Sequence, residues 1–348
     1  MTATPDTRAA ATHNRTAAAS LITACWSTQV IHVAVSMGLP DKLAAGNASA
    51  GELARLTGAQ PRAMFRLLRA LAALGLCTHL GAERFELTES GQYLRTDVPE
   101  SLAILALHWG GRTWPALSHL EESLKTGSAW TLGGREGFFS MAQRPQDAAV
   151  LNRSMANQTL LVARAIVAAY DFSRFRKVID LGGGYGALLS VLLTAYPHLD
   201  GASADLAYME SDALAFLRDA GVAERSSFIP TDFFQSVAPG ADCYLLKFII
   251  HDWNDSDSIE ILSNTRKAAG RDGIVLIIEQ IAPERVEATP QHTTVIRGDI
   301  HMMVATGGME RTVAEYGELL AQAGLELTRL IPTESQFSLI EAKPTASA

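Results

Sequence analysis

The triplet His251-Asp252-Trp253 stands just past the apolar run Cys243–Phe248, two isoleucines beyond it, and Lys247 interrupts that run near its end. In open α/β sheets, reactive groups gather at the carboxyl ends of strands. An imidazole titrating near pH ~6.5 can take the proton of a phenol of pKa about 10 as that oxygen attacks an electrophile. Asp252, or an acid more distant in the chain, would orient the ring and stabilise its charged form. A metal centre is not expected, because His-Asp-x-x-Asp has no second histidine or cysteine at ligand spacing. Asn254–Asp257 reads as a helix N-terminus, where Asn, Ser and acids are favoured.

A second constellation precedes it. Residues Val178–Gly186 read V-I-D-L-G-G-G-Y-G, a buried strand running into a glycine turn and then a helix. Such a turn lets the backbone approach a ligand closely and aims free N–H groups at it. Gly182, Gly184 and Ala187 also satisfy the dinucleotide pattern G-x-G-x-x-G/A. Asp180 helps to choose between ligands. A carboxylate inside an apolar strand end needs a partner. The amino group of a bound methionine would supply one, whereas a pyrophosphate would be repelled. Asp205 ends the next strand, where an acid can accept ribose hydroxyls, and Leu206 follows it. Asp232, in TDFF, could hold an adenine amino group while Phe233 covers the ring. Three acids at three successive strand ends suit S-adenosyl-methionine, whose methionine portion is cationic at nitrogen and sulfur.

These residues need a parallel sheet to bring them together. From Arg176, apolar strand candidates (Lys177–Leu181, Gly201–Asp205, Ser226–Pro230, Cys243–Phe248, Gly273–Ile281) alternate with helices at Ala187–Tyr196, Tyr208–Ala220, Asp255–Ala269 and Thr312–Ala323. Two extended stretches, Glu326–Ile331 and Phe337–Glu341, close the chain. Strand–helix alternation implies a sheet covered on both faces. Before it, Asp147–Tyr170 reads as one amphipathic helix, and 101–170 as all helix with loops, Gly127–Gly137 being a loop. The front end differs. Ser20–Ala44 is helical until Gly38-Leu39-Pro40, and Ser49 is placed to cap a short helix at Gly51–Leu56. Pro61 opens another through Leu74, and Leu76–Leu80 with Arg84–Leu87 alternate as a hairpin. That is a winged-helix pattern. The expected divisions are a disordered tail at 1–14, a winged-helix domain at 15–100, a helical region at 101–170 and a catalytic α/β domain at 171–348, with the boundary at Tyr170-Asp171-Phe172.

Composition bounds the function. The 348 residues are 48% hydrophobic and 19% charged, with a formal net charge of −8, so a large core is expected and a nucleic-acid partner is not. Residues 1–100 are near neutral and the remainder acidic. Cys25, Cys77 and Cys243 have neither disulfide nor metal spacing and imply reduced thiols in a cytoplasmic protein. No apolar run reaches the ~18–20 residues of a membrane span, and the N-terminus lacks the apolar core of a secretory signal.

Taken together, DLGGGYG at 180–186, the Asp205 strand end, DFF at 232–234, LKFIIHDW at 246–253, IIEQ at 277–280, GGMERT at 307–312 and the winged-helix front end resemble one family. It comprises the two-domain small-molecule O-methyltransferases of plants and of actinobacterial antibiotic pathways. The resemblance covers about residues 15–343. It implies a Rossmann-like class I methyltransferase domain, a parallel sheet with an antiparallel last strand, behind a dimerisation module that makes a homodimer. It implies that Gly182, Gly184, Asp205, Asp232, Phe233 and Lys247 line the S-adenosyl-methionine site, with Thr159 near the methionine tail. It implies that His251 is the general base, flanked by Glu279 and Glu310, and that Met155 lines an aromatic acceptor's pocket. Asn152, Trp253 and His301 are further acceptor-side candidates. The chain departs from relatives at Leu151, where many carry an aromatic, and in 292–309, where His292, Arg297 and His301 replace mostly apolar residues. Two other readings are set beside methyl transfer. One keeps the cofactor but performs hydroxylation, decarboxylation or cyclisation; the other is a winged-helix DNA-binding regulator, against which the mostly apolar helix Pro61–Leu74 argues.

Overall fold

The computed structural model describes residues 5–98, 101–130 and 133–345, without the side chains of 5–13, 112 and 150. The chain divides into two compact units, Met1–Pro115 and Ala116–Ala348. The boundary therefore lies ahead of the expected one at 170–172. The texture change in the sequence marks the first strand of the sheet, but the long helix before it already packs on the sheet's first helix and belongs to the second unit.

The first unit begins with helices α1 (Pro5–Thr23) and α2 (Cys25–Ser36). Residues 5–14, expected as a disordered tail, are helical; the alanine-rich stretch favours helix, and residues 1–4 lie outside the described residues. Residues 14–36 form a 23-residue stretch containing an 18-residue window of mean hydropathy 1.4, long and apolar enough to cross a membrane by length and composition alone. Counting uninterrupted apolar runs missed it because threonines, serines and His32 are scattered through it. Leu21, Ile22 and Trp26 stand exposed along it. Helix α3 (Ala50–Thr57) starts at a capping box, Ser49 Oγ accepting from Glu52 N while Glu52 accepts from Ser49 N. Helix α4 (Pro61–Ala73) and the hairpin β1 (Cys77–Gly81) and β2 (Arg84–Leu87) follow, as the sequence predicts. Leu53, Met64, Leu68, Leu71 and Phe85 close one core among them.

In the second unit, the expected loop 127–137 gives way to a helix from Gly134 to Phe139, and helix α5 (Pro145–Ala169) leads to the sheet. There follow β3 (Lys177–Leu181), α6 (Ala187–Ala195), β4 (Asp200–Asp205), α7 (Glu210–Asp219), β5 (Ser226–Pro230), β6 (Cys243–Lys247), α8 (Asp255–Ala269), β7 (Ile274–Glu279), α9 (Pro290–Ala305), α10 (Val313–Gln322), β8 (Leu325–Pro332) and β9 (Ser338–Pro344). The stretch 292–309, left without an element by sequence reading, is mostly α9.

The seven strands lie in the order β5-β4-β3-β6-β7-β9-β8. Strands β3 to β7 pair in parallel, and β9 inserts antiparallel between β7 and β8. This is the class I methyltransferase sheet, with its antiparallel last strand. Strands β6 and β7 are buried at every position, as expected for strands covered on both faces. The order reverses between β3 and β4 on one side and β6 on the other. That switch point leaves a crevice at the carboxyl ends of the strands, where the glycine loop, Asp205 and His251 all emerge.

Candidate active site

The glycine loop joins β3 to α6. Gly182 and Gly184 adopt φ of +65° and +56°, which side-chain-bearing residues rarely hold. A Cβ on Gly182 would stand 2.1 Å from Ile249 Cδ1, so loop and β6 end are pressed together there. Asp205 pins the loop, its two carboxylate oxygens accepting from Gly184 N at 2.9 Å and Leu206 N at 2.7 Å. Burial raises the Asp205 pKa against those two hydrogen bonds. Asp180, buried in β3, is raised to about 7 by burial, with Lys247 opposing and Asp205 reinforcing the shift. Lys247 is in turn lowered to about 8 by burial, against Glu279 and Asp180. Two carboxylates and a weakened ammonium thus meet beside a loop whose Gly182 and Gly184 hold backbone angles that disfavour side chains.

Asp232 turns its Oδ1 to Phe234 N at 3.0 Å. The Phe233 ring approaches Gly182, lying 3.9 Å from where a Cβ would be. Asn264 Nδ2 donates to the carbonyls of Phe233 and Phe234, fixing this loop to α8. A cationic nucleoside fits this set of residues: paired buried acids, a close-approach loop and an aromatic edge.

His251 lies on a short turn, Ile250–Asp252, beyond β6. Its ring is 7% exposed, and its Nδ1 is 3.0 Å from Glu310 Oε1 and 3.7 Å from Glu279 Oε2. Asp252 Oδ1 is 4.0 Å from Nε2. Glu310, more distant in sequence, is therefore the hydrogen-bonded partner of the imidazole, and Asp252 is not. Glu279 Oε1 accepts the backbone N–H groups of Ile249 and Ile250 at 3.0 Å and of His251 at 3.4 Å, so this acid caps the turn that carries the histidine. The other oxygens of Glu279 and Glu310, and the Tyr316 hydroxyl, are buried without a hydrogen-bond partner. Burial alone would lower the His251 pKa; Glu279, Glu310 and Asp252 outweigh it and raise it to about 10. Burial also raises Asp252, to about 6, and Glu279.

The segment 308–311 clasps this turn. Gly308 passes so close that a Cβ would fall 1.9 Å from the His251 carbonyl oxygen. Met309 N donates to that carbonyl at 2.9 Å, and Glu310 N donates to Asp299 Oδ1 at 3.0 Å. Arg311, 1% exposed, donates to the carbonyls of Ile250 and Trp253 and to Asp255. Sequence reading passed over Gly308, Asp299 and Arg311 as site residues. Gly308 and Arg311 stand inside the GGMERT motif, which was the available signal.

The remaining candidates spread out. Trp253 is buried against Phe138, Phe233 and Phe234; it packs the core behind the adenine-side loop, and nothing in those contacts places it on an acceptor. Thr159 donates its hydroxyl to Met155 O, one turn back on α5. Asn152 Nδ2 donates to Met209 Sδ, so α5 reaches the loop after β4. Met155 is half-buried on the same helix, and His301 half-buried on α9.

Comparison with known proteins decides the family. The O-methyltransferase domain model matches residues 118–326, and the O-methyltransferase dimerisation domain model matches residues 19–97. The chain belongs to the O-methyltransferase family. It is 36% identical over 326 residues to the phenazine O-methyltransferase of Lysobacter antibioticus, covering 93% of this chain and 94% of that one. It is 37% identical to the O-demethylpuromycin-O-methyltransferase of Streptomyces alboniger, with 93% and 88% covered. Among solved structures, an O-methyltransferase from neocarzinostatin biosynthesis, in complex with S-adenosylmethionine and 2-hydroxy-5-methyl naphthoic acid, superimposes with a TM-score of 0.79. That protein is 32% identical, with 91% of this chain and 96% of that one covered. As an O-methyltransferase of this family, the chain takes S-adenosyl-methionine as its cofactor.

Proposed function

We propose that this enzyme methylates a phenolic hydroxyl of an aromatic secondary metabolite, with His251 as general base. The observation that carries the reading is a buried imidazole hydrogen-bonded through Nδ1 to Glu310, on a turn capped by Glu279, at the end of the strand beside the glycine loop. The relatives named above are a phenazine O-methyltransferase, an O-demethylpuromycin-O-methyltransferase and an enzyme solved with 2-hydroxy-5-methyl naphthoic acid, which supports an aromatic substrate.

When bound, S-adenosyl-methionine would supply a sulfonium methyl group: the acceptor oxygen bonds to that carbon in line as the carbon–sulfur bond breaks, and the neutral thioether S-adenosyl-homocysteine leaves. Asp180, Asp205 and Asp232 would hold the cationic nucleoside, and Gly182 and Gly184 would let it approach the backbone. Phe233 would cover its base, Leu206 would adjoin its ribose, Lys247 would tune Asp180, and Thr159 would stand on the methionine side. His251 takes the acceptor's proton at Nε2, and Glu310 and Glu279 stabilise the resulting imidazolium. Asp252 adds negative charge on the Nε2 side. Met155, Asn152 and His301 would line the acceptor side. Positioning supplies much of the rate, because attack needs the oxygen within ~3–3.5 Å of the methyl carbon. The mechanism asks nothing of a metal. The exposed apolar residues Leu21, Ile22 and Trp26 of α1 and α2 and the matched dimerisation domain support a homodimer.

Incubation with S-adenosyl-methionine and a panel of hydroxylated naphthoates and phenazines, read by mass spectrometry, tests the reaction class. A methyl ether formed one-to-one with S-adenosyl-homocysteine supports it. A hydroxylated, decarboxylated or cyclised product would replace it.

A further inference from the structure

Phe248 is the one non-glycine residue outside the β1–β2 turn with φ in the left-handed region, +56°, among the described residues. For a bulky side chain that conformation is an outlier, and such strain persists only where the surroundings enforce it. A glycine would make the same bend freely. The bend places the Phe248 ring flat on the imidazole of His251, with centroids 4.7 Å apart and planes 3° from parallel. The ring is itself held edge-on by Phe337 at 4.7 Å, and the Lys247 ammonium lies 4.0 Å from its centroid.

We propose that Phe248 is a positioning residue for methyl transfer, fixing the plane of the His251 ring so that Nε2 meets the acceptor proton in one orientation. The hydrogen bond from Nδ1 to Glu310 holds the imidazole at one point and leaves rotation about that axis; a flat aromatic contact removes that freedom. The contact also favours the imidazolium over the neutral ring, because the face of an arene attracts cations. The remaining charged or titratable groups around the ring are Glu279 on β7, Glu310 after α9 and Asp252 on the same turn. The Tyr316 hydroxyl on α10 faces the two glutamates, and Lys247 lies on the Phe248 ring. This inference rests on His251 being the base.

The test compares the full-length parent with Phe248→Leu, Phe248→Gly, Phe248→Trp and His251→Ala. Readouts are kcat, acceptor KM, S-adenosyl-homocysteine Kd, the pH midpoint of kcat/KM and thermal stability. Phe248→Leu and Phe248→Gly should lower kcat about tenfold to a hundredfold, the scale of a small misplacement of reacting groups. KM and Kd should stay within about twofold, and the pH midpoint should fall, because the imidazolium has lost its aromatic face. Phe248→Gly should fold at least as stably as Phe248→Leu, since it relieves the backbone, yet be no faster. Phe248→Trp, which keeps a flat ring, should return kcat to near the parental value. Parental kcat and pH midpoint in both ring-less variants would overturn the proposal, as would a loss confined to cofactor Kd. If His251→Ala turns over normally, the base assignment falls instead; if it is inactive while Phe248→Leu is parental, only the inference about Phe248 falls.

Discussion

Asp180 is a carboxyl group raised to about 7 by burial in a strand end, so at neutral pH it is only partly ionised even with the Lys247 ammonium opposing the shift. A bound ammonium would favour the ionised form, and below pH 7 binding must first remove the proton. S-adenosyl-homocysteine, which retains the amino group, should therefore bind about tenfold more weakly for each pH unit between 7 and 5. Calorimetric titration at several pH values measures this, and Asp180→Asn should flatten the dependence while weakening binding at pH 7.5. A Kd constant from pH 5 to 7 in the parent would contradict the role of Asp180. For His251 the shift runs upward, to about 10, so at neutral pH the imidazole retains its proton. A base must be deprotonated, so kcat/KM should rise with pH from 7 toward about 10. Because a phenolic acceptor titrates in the same range, its ionisation is followed by absorbance in the same buffers and divided out of the profile. A profile already flat from pH 6.5 would show that the three acids do not hold the proton as described.

The element scale is where reading the sequence stopped short. Strands and helices of the second unit were legible because short continuous apolar runs alternate with segments of helical spacing, and because Gly, Asn and Thr mark their ends. Ser49, Pro61 and Asn254 each stand where the sequence places a helix start. The acids and glycines of the cofactor crevice were legible because a buried Asp beside three glycines has few other uses. What was not legible is how elements distant in sequence grip one another. Glu279 caps the His251 turn across 28 residues, and Arg311 reaches Trp253 across 58. The bend at Phe248 carries no glycine to announce it. Gly308 and Arg311 make the clasp testable. Arg311→Met leaves the carbonyls of Ile250 and Trp253 without their buried donor, each costing about 1–3 kcal/mol. Chemical denaturation should show a loss of that order, and kcat should fall with it. Gly308→Ala, which forces a Cβ onto the His251 carbonyl, should lower kcat more than it lowers stability. Parental unfolding curves and rates in both would mean the clasp positions nothing.

For the whole molecule, the site is built at a cost in stability that depends on pH. Asp180, Asp252 and Glu279 all have folded pKa values above their ordinary ones, and so does His251. The folded state therefore binds protons more tightly than the unfolded chain. The stability these groups contribute is fully present below pH ~4 for the acids and below ~6.5 for the histidine, and is lost as pH rises through the raised values. S-adenosyl-homocysteine should offset part of that loss, so its thermal shift should grow from pH 5.5 to 7.5; a shift that shrinks over that range would contradict the reading of the crevice. In the proposed homodimer the exposed Leu21, Ile22 and Trp26 would line the interface, so Trp26→Glu with Ile22→Glu should convert a dimer to monomer in sedimentation. The account as a whole turns on His251 accepting the acceptor's proton. The most direct measurement is the single-turnover rate of His251→Ala with cofactor and acceptor saturating, alongside its S-adenosyl-homocysteine Kd. The rate should fall by about a hundredfold to ten-thousandfold while Kd is unchanged. A rate close to that of the parent, at equal cofactor occupancy, would contradict it.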